Sequence, residues 1–178
     1  MNLPNTITFS RLLGLPLIVY WLQSPEPFYH WLSLGLFLLA AATDWLDGYL
    51  ARKLNQVTDL GKFLDPLVDK LLVLIPLLVL IQLQRVPAWG VGLILSRELT
   101  IAGWRVNPSV TANKGISGAN LWGKLKTVTQ IMAIGLLIAP LPQGYLLGIT
   151  IFWLSVALTL LSGLIYLLPP EIPREGEL

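Results

Sequence analysis

The chain alternates long apolar stretches with short breaks, and the stretches are apolar all round rather than along one face. Residues 71–83 and 145–168 show this most clearly, because neither has the polar stripe that a helix on a water-soluble domain turns toward solvent. Taking about 20 residues as one bilayer crossing, the pattern predicts spans near 5–23, 31–51, 61–83, 88–106, 122–139 and 145–168. Turn residues separate several of them: Ser24-Pro25-Glu26-Pro27-Phe28, Gln84-Arg85-Val86-Pro87 and Pro140-Leu141-Pro142-Gln143-Gly144. The breaks at 52–62 and 107–120 and the tail 169–178 are more polar. There is no internal repeat and no soluble stretch of domain length. The expected fold is therefore all-α: one integral membrane unit over 1–178, with six transmembrane helices and short loops.

Composition agrees, at 54% hydrophobic and only 12% charged residues. The absence of cysteine excludes disulfides, thiolate metal sites and a cysteine nucleophile. A net charge of +2 is no sign of a nucleic-acid partner, and the basic residues equally suit anionic lipids and phosphorylated substrates. Arg11 lies inside the first apolar run and no small-residue cleavage site follows, so that segment is expected to be retained. Of the 12 Lys and Arg, Arg85 alone falls in a loop on the side of 24–30, 84–87 and 140–144. With an even number of spans, this bias predicts both termini and the polar loops on the cytoplasmic side. Arg52, Lys53, Lys62, Arg105, Lys114, Lys124 and Lys126 then lie near the cytoplasmic leaflet. The only histidine, His30, is expected in the first external loop as an interfacial residue, and the tryptophans mostly as belt anchors.

The candidate chemistry is carried by carboxylates. Asp44, Asp47, Gly48 and Ala51 stand at i, i+3, i+4 and i+7, and Gly61, Asp65 and Asp69 at i, i+4 and i+8, so each set shares one helix face. Two helices joined by a loop of about ten residues are expected to be antiparallel neighbours, which brings the two faces together. Four carboxylates in one volume at a membrane boundary repel one another unless cations or protons neutralise them. Oxygen ligands without His or Cys favour Mg²⁺ or Mn²⁺, with Ca²⁺ an alternative, over zinc. Two such ions about 4 Å apart would clamp a diphosphate and take up charge on the leaving oxygens. Gly48 and Ala51 would let a nucleotide approach the helix backbone, and Arg52 would pair with the diphosphate. Small residues at this spacing also let membrane helices pack closely, so Gly48, Ala51 and Gly61 alone decide nothing.

The run Asp44-x2-Asp47-Gly48-x2-Ala51-Arg52-x8-Gly61-x3-Asp65-x3-Asp69 resembles the signature of the CDP-alcohol phosphatidyltransferases at every fixed position. The words 2–11, 51–66, 97–99 and 123–127 look like the branch whose acceptor is glycerol 3-phosphate. This resemblance implies a homodimer of six-helix chains that binds CDP-diacylglycerol at the cytoplasmic face. The acceptor hydroxyl then attacks the β-phosphate and CMP is released. It also implies that Asp44, Asp47 and Asp65 are the principal metal ligands, and that Asp69 is the general base close to a metal. Gly48, Arg52 and Thr58 match positions that contact the CDP part, beside Ala51, while Asn5 and Thr8 are further nucleotide candidates.

Arg97, Arg105, Lys124 and Lys126 are candidates for binding a phosphorylated acceptor. Their alternative is positive-inside charge and, for Arg97 with Glu98, a structural ion pair, because both interrupt an apolar span. Inositol phosphate, serine or phosphatidylglycerol as acceptor would leave the aspartate signature unchanged. From a different class, a cation or proton transporter would also place carboxylates in membrane helices. It gives no reason for Gly48, Ala51 and Arg52 beside them, and six spans leave little room for paired transport repeats.

Overall fold

The computed structural model describes residues 3–53, 59–106 and 121–167. Among these there are six α-helices and no strand: α1 (Leu3–Leu22), α2 (Pro27–Lys53), α3 (Asp59–Gln82), α4 (Ala88–Val106), α5 (Leu121–Ile138) and α6 (Gly144–Leu167). Each predicted span has its helix. The largest departure is at α2, which begins at Pro27 rather than near residue 31. Proline is suited to a first helical position, where its missing N–H would have no partner in any case.

That earlier start corrects the placement of His30, which sits in the opening turn of α2 and is buried at 8% exposure, not in a loop. Its Nε2 lies 2.9 Å from the Ser24 carbonyl oxygen, so it closes the α1–α2 corner. Asp59, expected in a loop, is the first residue of α3. The α3–α4 corner is a Schellman turn. Gln84 takes a positive φ of 57°, Arg85 N–H donates to Leu80 O at 2.8 Å, and Gln84 N–H donates to Ile81 O at 2.9 Å. The Arg85 guanidinium then donates through Nη1 to the carbonyl of Leu137, in the last turn of α5.

The helices pack in two groups, joined where α3 meets α4 and α5 and where α2 meets α5. α1 lies against both α2 and α3, α6 lies against both α4 and α5, and α3 touches α4 and α5. The core between them is made of Leu15, Ile18, Phe37, Leu77, Ile134 and Phe152, each no more than 2% exposed. At the α5–α6 seam the backbones approach closely: a Cβ on Gly148 would come within 2.9 Å of Leu137 Cγ.

Large apolar side chains also stand on the outer surface of the described residues. Leu13, Tyr20, Leu39, Leu146 and Leu164 are between 60% and 74% exposed. In water such continuous apolar cover would be a liability, whereas against lipid it is the matched solvent. Among the described residues, one stretch, Gly144–Tyr166, is long and apolar enough to cross a membrane on hydropathy alone, with a mean of 2.0. Only 39% of that window is buried, so it is not an enclosed core helix. Thr6–Leu22 and Pro27–Thr43 are shorter apolar segments. In α3 and α4 the apolar runs are interrupted by the charged residues that carry the candidate chemistry.

Candidate active site

Two clusters of charge stand out. The first joins α1 to α3. Asp65 and Asp69 are one helical turn apart and so share a face of α3. Thr8 of α1, 1% exposed, donates from Oγ1 to Asp65 Oδ1 at 3.0 Å. Arg11, one turn along α1 and 3% exposed, has Nη1 3.6 Å from Asp69 Oδ1 and Nη2 3.5 Å from Thr8 Oγ1. Thr8 and Arg11 are at i and i+3, which is why one face of α1 reaches both carboxylates. The Asp69 side chain remains 49% exposed beside its contact with Arg11. Pro66, inside α3 directly after Asp65, has no N–H to return to the preceding turn.

The second cluster joins α4, α5 and α6. Glu98 Oε1 accepts from Arg97 Nη1 at 3.0 Å and from Lys126 Nζ. Arg97 Nη2 donates to Ser162 Oγ at 3.0 Å. Ser162 Oγ donates onward to Thr159 O, and Gln130 Nε2 donates to Thr159 Oγ1, so the polar chain continues along the α5–α6 seam. α3, which carries Asp65 and Asp69, packs against both α4 and α5, the helices that carry Arg97 and Lys126.

The structure thus brings together Thr8 with Asp65, and Arg97 with Lys126. It keeps Lys124 apart: that residue is exposed, and two positions from Lys126 is about 200° around a helix. Asp44, Asp47, Gly48, Ala51 and Arg52 fall within α2, Asn5 within α1 and Arg105 within α4, with side chains outside the described residues. Thr58 also lies outside them. Among the described residues, no group of three or more His, Cys, Asp or Glu gathers as a ligand set. The fit to a metal can still be tested on the described donors. Asp65 and Asp69 supply oxygen alone, are not enclosed, and have no His or Cys beside them on α3, which suits a hard divalent cation.

Two residues on which these clusters are built, Arg11 and Glu98, were not among the site candidates read from the sequence. Arg11 served there only to argue against a cleaved leader, and Glu98 only as an ion-pair partner. For Arg11 the signal was present: a charge inside an apolar helix must find a partner, and Thr8 lies one turn away on the same face.

A family model described as CDP-alcohol phosphatidyltransferase matches residues 1–161, a stretch that includes both aspartate-bearing helices. The chain belongs to that family. A relative from Bacillus subtilis (strain 168), a CDP-diacylglycerol–glycerol-3-phosphate 3-phosphatidyltransferase, is 41% identical, over 91% of each chain. One from Pseudomonas fluorescens, of the same name, is 36% identical over 99% of this chain and 94% of its own. A rice protein (Oryza sativa subsp. japonica), a cardiolipin synthase (CMP-forming), is 34% identical over 94% of this chain and 56% of its own. Family membership thus covers the acidic cluster and the cationic one alike, since both fall within residues 1–161 apart from Ser162.

Proposed function

We infer that this chain transfers the phosphatidyl group of CDP-diacylglycerol to glycerol 3-phosphate, giving phosphatidylglycerol phosphate and CMP. The observation that carries this reading is the similarity, over nearly the full length of both chains, to two bacterial proteins named for that reaction. The paired cations Arg97 and Lys126 support a phosphorylated acceptor, because they supply donors suited to a phosphate group. The rice relative, named as a CMP-forming cardiolipin synthase, makes phosphatidylglycerol the alternative acceptor to test.

The enzyme is multi-pass, with six spans, both termini and the active site on the cytoplasmic side, and works as a homodimer. The apolar outer surface and the single external arginine support the first part of this reading.

Asp44, Asp47, Asp65 and Asp69 are the residues that would hold two divalent ions, Mg²⁺ or Mn²⁺. When bound, these ions polarise the diphosphate and stabilise charge on the departing CMP. The chain's own residues do the rest. Asn5, Thr8, Gly48, Ala51, Arg52 and Thr58 bind the CDP part. Thr8 holds Asp65 in one orientation through its 3.0 Å hydrogen bond. Asp69, half exposed and one turn along α3, accepts the proton of the acceptor hydroxyl as it attacks. Arg97 and Lys126, together with Arg105 of α4, hold the acceptor's phosphate, and Lys124, on the other side of α5, takes no part.

The test is CMP release by detergent-purified protein given CDP-diacylglycerol and a panel of acceptors. Glycerol 3-phosphate is expected to outcompete glycerol, serine, inositol phosphate and phosphatidylglycerol. Preference for an uncharged acceptor or for phosphatidylglycerol would reject this acceptor. Activity that persists in EDTA would reject the metal-assisted reaction.

A further inference from the structure

The cluster on α4 and α5 places two like charges on one carboxylate oxygen. Glu98 Oε1 accepts from Arg97 Nη1 at 3.0 Å and from Lys126 Nζ, and the side chains of all three are between 11% and 14% exposed. Arg97 is also fixed from behind. Its Nη2 donates to Ser162 Oγ at 3.0 Å, and its stem crosses Gly163, where a Cβ would come within 2.9 Å of Arg97 Cγ. An arginine and a lysine so enclosed would separate without a shared anion, since each long side chain has many other rotamers and the charges repel.

We propose that Glu98 is a positioning residue for the acceptor: it holds Arg97 and Lys126 together as one two-pronged site for a phosphomonoester. This rests on the reading of Arg97 and Lys126 as the acceptor's phosphate site. Two effects of Glu98 oppose each other. Its negative charge lowers the cluster from +2 to +1 and so weakens attraction for a phosphate, which carries about −1.5 to −2 at pH 7. Its hydrogen bonds pre-set the donors, so that less ordering is needed when the ligand arrives. Enclosure favours the second effect, because misplaced buried donors lose the bidentate geometry on which phosphate recognition depends.

The opposing signs make the proposal testable with Glu98→Gln, which keeps the shape and removes the charge. The KM for glycerol 3-phosphate is expected to rise about tenfold, with the KM for CDP-diacylglycerol within about twofold of wild type. Calorimetry with CMP present, where no transfer occurs, should show the same loss of glycerol 3-phosphate affinity. A fall in KM would mean that Glu98 acts only as an opposing charge, and an unchanged KM with a lowered Tm would make it merely structural. Either result overturns the proposal. Lys126→Gln is the control. If it raises the acceptor KM while Glu98→Gln does not, Glu98 loses its role and the phosphate site stands; if neither raises it, the phosphate site itself is wrong. Should Glu98→Gln fail to fold, Glu98→Asp keeps the charge with a shorter reach. An acceptor KM between wild type and Lys126→Gln supports positioning, and a wild-type KM rejects it.

Discussion

The two charged clusters are built to opposite specifications. Around Asp65 and Asp69 the contacts with α1 run from 3.0 Å at Thr8 to 3.6 Å at Arg11, and the Asp69 side chain stays half exposed. Around Glu98 two cations share one carboxylate oxygen, and no side chain of the triad is more than 14% exposed. The first cluster includes a carboxylate half open to its surroundings, while the second is enclosed and held by contacts across three helices. A carboxylate that must receive a proton or an ion has to remain approachable. Groups that recognise a fixed shape gain from being held still.

This contrast can be broken most directly at Asp69. Asp69→Asn is expected to lower transfer by about 10²–10⁴-fold, while CDP-diacylglycerol binding and Tm stay near wild type. Turnover by CMP release and binding by calorimetry on one sample would check it. Near-normal turnover would remove Asp69 as the base, and a large fall in Tm would place it with the enclosed groups. Next in size is Gly163→Ala, which pushes a methyl group against Arg97 Cγ and Nε. Overpacking of this kind costs about 1–3 kcal/mol, so thermal denaturation should show reduced stability together with a raised acceptor KM. If Arg97 moves aside at no cost, the cationic cluster is looser than its geometry says. The smallest effect is expected from Thr8→Val, which removes the hydrogen bond to Asp65 and costs about 0.5–1.5 kcal/mol. Turnover should fall several-fold with little change in the acceptor KM. A change in acceptor KM comparable to that of Gly163→Ala would erase the division between the clusters.

Much of the architecture could be read from the sequence, for a physical reason. Apolar runs of bilayer length, broken by Pro, Gly and polar residues, leave few ways to place helix ends, and α4 runs over Ala88–Val106 as the pattern predicts. The α3 face of Asp65 and Asp69 was legible too, since it depends only on helical period. His30 was misplaced because its position depends on a hydrogen bond across a corner, which periodicity does not record. The pairing of Lys126 with Glu98 spans 28 residues, and that of Arg97 with Ser162 spans 65. A single sequence says that such charges need partners, but not which ones.

The turn at Gln84 and Arg85 has a consequence for how the chain is made. The guanidinium of Arg85 finds its acceptor on Leu137, 52 residues later, so an N-to-C synthesis produces the donor well before the carbonyl that receives it. The hairpin of α3 and α4 thus waits for α5 to complete its corner. One contact between the α3–α4 corner and the last turn of α5 thereby ties the first half of the bundle to its later half.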